Sequence, residues 1–315
     1  MKNFNKFENV ILVPFYEDKA SLEFLLDDLK VIYKNNFYIF IVDDGSLNHK
    51  LNEENLQNSK INGSILRLKR NVGHQKAIAI GIRHIAQDIL DNQKIIIMDC
   101  DGEDLPKTSS VLLDQINDES IDIVVAKRKK RKETFVFKSF YLVYKIIFLF
   151  LTGRTIDFGN YMVLKKTALI RLSLMPELST HIAATVVASK LRIKKIPLNR
   201  GARYAGKSKM NFFSLVLHGF RALMVFTEEV LVRVGIICII IAAFSGISSI
   251  IAITLKLLGF SSPGWFSIAL GILLLIMIQT GTLALTLLIS VGKNNDENID
   301  VIKSSADMVE EIFET

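Results

Sequence analysis

The chain has little sulfur and lacks the motifs of several common enzyme classes. Its 315 residues include two cysteines, Cys100 and Cys238, too few for a disulfide framework or a thiolate metal site and typical of a reducing compartment. The five histidines show no His-x-x-x-His spacing, and Gly-x-Ser-x-Gly does not occur. These absences give no support to a hydrolase.

The first residues have no apolar segment of the kind found in a signal peptide, so we expect internal segments to direct the chain to a membrane. Two nearly unbroken apolar runs occupy residues 234–255 and 265–292. Each exceeds the roughly 20 residues that a helix needs to cross a hydrocarbon core. The alternative, two buried helices of a soluble protein, would need a core large enough to surround both. The runs therefore predict a transmembrane hairpin attached to a water-soluble domain.

Positive charge is concentrated before the first apolar run. The net charge is +7, and basic residues fill the run 127–132 and recur through residues 192–233. Basic residues that flank transmembrane helices stay in the cytoplasm, and two crossings return the chain to the side it left. We therefore expect the domain and the acidic tail 293–315 on the cytoplasmic face of the inner (plasma) membrane.

Short β-branched runs alternate with helix-length segments in the first half of the chain. The predicted strands are residues 10–13, 38–42, 65–68, 95–98 and 121–126, and the predicted helices are residues 20–33, 75–90 and 108–117. Such alternation is typical of an α/β fold with a mostly parallel sheet and helices on both faces. Ligands of open parallel sheets bind beyond the carboxyl ends of the strands. This rule selects residues 14–18, 43–46, 99–104 and the basic run after Ala126.

Two of these segments are rich in carboxylates. Residues 99–104 read Asp-Cys-Asp-Gly-Glu-Asp, and four acids so close together repel one another unless a cation lies among them. Oxygen ligands of this kind suit Mg²⁺ or Mn²⁺, although a solvated acidic loop before the next helix is an equal alternative. Residues 43–46, Asp-Asp-Gly-Ser, could bind a nucleoside but are also ordinary turn composition.

The combination resembles a family 2 glycosyltransferase with a GT-A (Rossmann-like) fold. The matching segments are Val-Pro-Phe-Tyr-Glu at 13–17, Val-Asp-Asp-Gly-Ser at 42–46, Arg-Asn-x-Gly at 70–73 and Asp-x-Asp at 99–101. Arg-x-x-Gly-x-Ser-Lys at 203–209 is similar to the polyprenyl-phosphate branch of the family. That branch includes dolichyl-phosphate mannose synthases and bacterial bactoprenol glucosyltransferases.

The resemblance implies a role for each matching position. Residues expected to bind the nucleotide-sugar are Pro14, Tyr16, Glu17, Asp43, Asp44, Asn71 and Lys76. Asp99 would face the sugar, and Asp101 and Glu103 would hold Mg²⁺ or Mn²⁺, although Glu103 replaces the usual glutamine. Arg203 and Lys207 would close over the phosphates, and Asp157 would orient the acceptor unless it belongs to a simple turn. Arg128, Arg131 and Ser208 would bind the acceptor phosphate, while attraction of the basic run to anionic lipid is the other interpretation.

Residues 135–151 and 212–225 resemble interfacial amphipathic helices, or alternatively helices packed on the sheet. The expected domains are a catalytic domain at 1–211, a juxtamembrane helix at 212–233, the hairpin at 234–292 and the tail at 293–315. The implied activity is inverting, metal-dependent sugar transfer from a UDP- or GDP-sugar to polyprenyl phosphate at the bilayer. The protein would serve cell-surface glycan synthesis without a nucleic acid partner, and the resemblance suggests a homo-oligomer. The alternatives are a different glycolipid or polysaccharide acceptor, or a non-catalytic adaptor that binds a nucleotide or an anionic lipid.

Overall fold

The computed structural model describes residues 4–128, 135–204, 212–260, 264–293 and 307–315. The chain divides into two compact units. The sheet unit comprises residues 1–143, 154–225 and 299–315, and the helical unit comprises residues 144–153 and 226–298.

The sheet unit is built on an eight-stranded sheet in the order β7-β5-β6-β4-β1-β2-β3-β8. The strands are β1 Asn9–Phe15, β2 Tyr38–Asp43, β3 Gly63–Leu68, β4 Lys94–Ile97, β5 Ile123–Arg128, β6 Phe158–Lys165, β7 Ile193–Leu198 and β8 Val309–Glu314. β1 to β4 pair in parallel, as do β5 and β7, whereas β6 lies antiparallel between β4 and β5. β8 pairs antiparallel with β3. The predicted mostly parallel α/β fold is confirmed.

Helices cover both faces of this sheet. The helices of the sheet unit are α1 Lys19–Tyr33, α2 Glu53–Ser59, α3 His74–Asp88, α4 Ser109–Ile116, α6 Lys166–Ser173, α7 Ile182–Ala188 and α8 Phe212–Met224. α5 Phe135–Thr152 begins in this unit and ends in the helical unit. Successive strand residues point to opposite faces, so Val10 and Leu12 pack with α3, α6 and α7, while Ile11 and Val13 pack with α1, α2 and α4. Burial on both faces explains why β1 and β2 are almost wholly apolar.

The helical unit contains the last part of α5 together with α9 Thr227–Leu257 and α10 Trp265–Lys293. By length and composition both α9 and α10 could cross a membrane. Within the unit, the Ser245 hydroxyl donates a hydrogen bond to the Leu273 carbonyl at 2.6 Å. α9 begins at Thr227, before the apolar run 234–255, and Glu228 and Glu229 in its first turn interact favourably with the helix dipole.

Candidate active site

A cleft of about 920 Å³ opens at the carboxyl ends of the parallel strands in the sheet unit. The predicted residues that line it are Pro14, Tyr16, Asp44, Asn71, Asp99, Asp101, Glu103 and Arg203. Pro14 lies near the end of β1, and the others follow β1, β2, β3, β4 and β7, so the carboxyl-end rule places them together. The antiparallel strand β6 contributes its first residues, and α8 forms part of the wall.

The two aspartates after β2 have different surroundings. Asp44 reaches the cleft, and its carboxylate accepts hydrogen bonds from the backbone amides of Val72 at 2.7 Å and Gly73 at 3.0 Å. Burial raises the pKa of Asp44, although these two amides act in the opposite direction. Asp43 is fully buried and accepts hydrogen bonds from the amides of Ser46 and Leu51. Asp43 therefore shapes the turn, while Asp44 joins the β2 and β3 loops beside the cleft.

Besides Asp43, two predicted nucleotide-binding residues lie away from the cleft lining. Glu17 has a positive φ of 55°, and its carboxylate accepts hydrogen bonds from the three consecutive amides of residues 47–49 at 2.6 to 3.0 Å. Those amides, led by that of Asn48, lower the pKa of Glu17. Lys76 is exposed on α3. Asp18, which the carboxyl-end rule selected but to which the resemblance gave no role, does line the cleft and caps α1.

The acidic loop after β4 is paired with two arginines from the loop after β7. Arg203 lies 3.0 Å from an Asp101 carboxylate oxygen and 2.9 Å from a Glu103 oxygen, and Arg200 contacts the second Glu103 oxygen. Burial and the nearby Asp99 raise the pKa of Asp101 despite the arginines. Sequence reasoning missed Arg200. Both oxygens of Glu103 thus contact arginines, and an Asp101 oxygen contacts Arg203 as well. The metal roles of Asp101 and Glu103 stay predictions.

These two loops approach each other backbone to backbone. The Gly201 amide donates to the Glu103 carbonyl and the Tyr204 amide donates to the Asp101 carbonyl, both at 2.9 Å. A Cβ on Gly201 would overlap the Gly102 carbonyl, and a Cβ on Gly102, whose φ is +85°, would lie 2.7 Å from the Tyr204 ring. Glycine is therefore required at both positions.

A polar chain runs from Asp99 along the cleft wall. His74 Nε2 lies 3.2 Å from Asp99 Oδ1 and 3.0 Å from Asn160 Nδ2, and Gln75 donates to Asn160 Oδ1 at 3.3 Å. The Ile182 amide then donates to Gln75 Oε1 at 2.7 Å. Burial opposes protonation of His74, but Asp99 and the neighbouring carboxylates outweigh it and raise the pKa of the ring. His74 was missed as a site residue, although it directly follows the Arg-Asn-x-Gly segment.

The remaining predicted residues are only partly accounted for. Asp157 contacts Lys127 and Lys195, each at 2.7 Å, and is not part of the cleft lining, whereas Lys127 is. Partial burial opposes the two lysines, which nevertheless lower the pKa of Asp157. Arg128 belongs to β5 by its backbone, and its side chain lies outside the described part of the structure. The described part of the structure does not include Arg131, Lys207 or Ser208.

The donor atoms fit a hard divalent cation through Asp101, with Asp99 beside it. Among the residues that the structure describes, no three His, Cys, Asp or Glu side chains are grouped to hold a metal ion. Mg²⁺ usually binds through one or two carboxylates and completes its coordination with waters and substrate phosphates. A site of that type needs no cluster of three protein ligands.

The chain belongs to glycosyl transferase family 2, whose model matches residues 10–178. The uncharacterized glycosyltransferase YkoT of Bacillus subtilis (strain 168) is 29% identical over 274 residues, which cover 82% of this chain and 77% of YkoT. A solved structure of glucosyl-3-phosphoglycerate synthase from Mycobacterium tuberculosis with Mn²⁺, UDP-glucose and phosphoglyceric acid has a TM-score of 0.51 at 13% identity. The similarity covers 72% of this chain and 80% of that one. A second complex of that synthase, with Mn²⁺ and UDP-glucose, also has a TM-score of 0.51, at 11% identity and 71% and 79% coverage. These structures establish the GT-A-like fold.

Proposed function

We propose that this family 2 glycosyltransferase transfers a sugar from a nucleotide-sugar to a polyprenyl phosphate, with inversion, at the cytoplasmic face of a membrane. The observation that carries the proposal is the single cleft in which the acidic loop after β4 meets the arginines after β7. Such a cleft suits a diphosphate leaving group, because it offers both a cation site and guanidinium groups. The structure of the mycobacterial synthase contains UDP-glucose and Mn²⁺. We propose that this chain also uses a UDP-sugar and a divalent cation.

The nucleoside would lie beside Pro14, Tyr16, Asp44 and Asn71, which line one part of the cleft. When bound, Mg²⁺ or Mn²⁺ on Asp101 would neutralise charge on the departing diphosphate. Arg200 and Arg203 are close enough to the same loop to contact phosphate oxygens, and guanidinium groups match such oxygens bidentately. Their present partners, Asp101 and Glu103, keep both side chains positioned there.

The acceptor phosphate would be the nucleophile. A phosphomonoester is mostly ionised near neutral pH, since its second pKa is about 6, so it needs little help from a general base. Holding it in line with the anomeric carbon would supply much of the rate. We assign this positioning to Lys127, held by Asp157, and to Arg128, Arg131, Lys207 and Ser208. Asp99, fixed by His74, would face the sugar.

Membrane attachment is proposed for α9 and α10. Large apolar side chains on both are exposed, such as Phe244 at 72% and Ile268 at 67%, which is unlike the core of a soluble protein. A membrane-bound enzyme can take its acceptor directly from the bilayer. This favours a lipid acceptor over a soluble one.

The test is to incubate membranes containing the full chain with labelled UDP- and GDP-sugars, undecaprenyl phosphate and Mg²⁺ or Mn²⁺, and then to identify the labelled product. We expect a single polyprenyl-phosphate sugar whose anomeric configuration is opposite to that of the donor. Membranes with Asp101→Asn are the control. Label found on a polysaccharide or another glycolipid, or a product with retained configuration, would contradict the proposal.

A further inference from the structure

One end of the cleft carries a cationic group that neither the motifs nor the family match accounts for. His181, just before α7, and His218, on α8, have ring centroids 4.3 Å apart. Ser214 and Arg221 lie on the same side of α8 as His218, and all four residues line the cleft. They fall after residue 178, where the family match ends. α8 contains no acidic residue.

His181 is 5% exposed and lines this end of the cleft. Its Nδ1 accepts a hydrogen bond from the Ala184 amide at 3.1 Å. Burial, together with His218 and Arg221, lowers the pKa of His181 to about 3, so the ring is neutral near pH 7. The proton of the neutral ring is therefore on Nε2. Among the described residues, no hydrogen bond or ion pair engages the guanidinium of Arg221.

A second stripe of α8 lies next to this polar one. Phe213, Leu217, Phe220 and Met224 recur at helical spacing and are 75%, 41%, 59% and 63% exposed. At about 100° per residue, this apolar stripe is centred roughly a quarter turn from the stripe of Ser214, His218 and Arg221. Leu217 belongs to both, because it also lines the cleft. α8 thus places anion-binding donors beside an exposed apolar surface.

We propose that α8 and His181 form a subsite for an amphiphilic phosphate, with the phosphate on Arg221, His218, Ser214 and His181 and the hydrocarbon chain along Phe213, Leu217 and Phe220. The assignment rests on the proposed function, since it makes this ligand the lipid acceptor. It adds a phosphate-binding group to the residues that the sequence predicted for that role. The positive charge of Arg221 suits the phosphate of such a ligand, and the neighbouring apolar stripe suits its hydrocarbon chain.

Binding of labelled farnesyl phosphate to the full chain in phosphatidylcholine nanodiscs tests the subsite, with UDP binding measured on the same samples. Arg221→Ala should weaken farnesyl phosphate binding roughly tenfold, the loss expected for one charge-assisted hydrogen-bonding group. UDP binding should stay unchanged. Phe220→Ser should weaken farnesyl phosphate but leave competition by inorganic phosphate unaltered. The matched controls are Arg171→Ala and Leu174→Ser, exposed residues of α6 and its C-terminal end outside the cleft.

Competition experiments distinguish the possible sources of the phosphate. Inorganic phosphate that competes as well as farnesyl phosphate would show a free-phosphate site, and competition by phosphatidylglycerol in the discs would show a bilayer headgroup site. Either result, or an Arg221→Ala variant that behaves like Arg171→Ala, overturns the assignment. If instead these binding differences hold but no nucleotide-sugar supports transfer to polyprenyl phosphate, the proposed function fails while the subsite stands.

Discussion

Replacing Glu103 with glutamine distinguishes a metal ligand from a partner of arginine. The sequence predicts that Glu103 joins Asp101 at the cation, whereas in the structure its two oxygens contact Arg200 and Arg203. Glutamine has the same shape, keeps one acceptor oxygen and removes the charge. If the arginines are the true partners, Glu103→Gln loosens the loop after β7 and leaves cation binding nearly intact.

The exposed fractions of the three side chains set the size of the effect. Glu103 is 22% exposed, and Arg203 and Arg200 are 30% and 33% exposed, so both ion pairs are partly screened by water. Fully exposed pairs contribute about 0.2–1 kcal/mol each and buried ones more. We expect Glu103→Gln to lower the free energy of unfolding by about 1–2 kcal/mol, which combines the two pairs. At about 2–4 °C per kcal/mol for a domain of this size, Tm should fall by about 2–8 °C.

Mn²⁺ affinity provides the second measurement, read by electron paramagnetic resonance of free Mn²⁺ in the presence of UDP. Loss of even a supporting group around a metal commonly costs about 10–100-fold in affinity, so loss of a direct ligand should cost at least that. We expect little change in Glu103→Gln and a large loss in Asp101→Asn. A similar loss in both variants, with Tm unchanged in Glu103→Gln, would refute the arginine assignment and restore Glu103 as a ligand.

Three further predictions follow from individual contacts. Asp101→Asn should abolish sugar transfer while circular dichroism and membrane flotation remain those of the unaltered protein; turnover near the wild-type rate would remove Asp101 from the cation site. His181 has a folded pKa of about 3, below its value of about 6.5 in the unfolded chain, so the unfolded state binds a proton first as pH falls. The free energy of unfolding should therefore drop between pH 6.5 and 3 by up to about 1.4 kcal/mol per pH unit. Thermal unfolding should show that Tm depends less on pH in His181→Asn than in the unaltered protein. The same dependence in both proteins would contradict the burial argument. Deleting residues 307–315 should expose the edge of β3, lowering Tm and promoting self-association measured by light scattering; a monodisperse truncated chain with unchanged Tm would mean that β8 contributes little.

The first five strands could be predicted because they are covered on both faces. β1, β2 and β4 are buried along nearly their whole length, and burial on two faces requires the continuous apolar runs that sequence reasoning detects. β7 and β8 lie at the two edges of the sheet. Edge strands tolerate charges such as Lys195 and Glu311, which hide the strand pattern. The residues of β8 therefore resembled an acidic tail.

The cleft lining was partly predictable for a related reason. Asp44 follows β2, and Asp99 and Asp101 follow β4, so strand order alone brings them to one edge. The partners of those side chains depend on contacts between residues far apart in the chain, as in the pairing of Arg200 with Glu103. The contacts of Glu17 could not be predicted for another reason. Its carboxylate accepts hydrogen bonds from three backbone amides, and every residue other than proline has such an amide, so the residue types do not reveal these bonds.

β8 also bears on membrane topology, independently of charge. The chain leaves the sheet unit before α9 and returns to it after α10, where Glu311 pairs with Arg67 at 3.3 Å and Phe313 lies under the same guanidinium. A strand cannot hydrogen-bond to β3 from across a bilayer, so the number of crossings between residues 226 and 298 must be even. We therefore infer that if α9 crosses a membrane, α10 crosses it in the opposite direction. Tags at residues 1 and 315 should be protected or digested together in sealed vesicles, and opposite accessibility would show that the β3–β8 pairing does not exist in the membrane-bound protein.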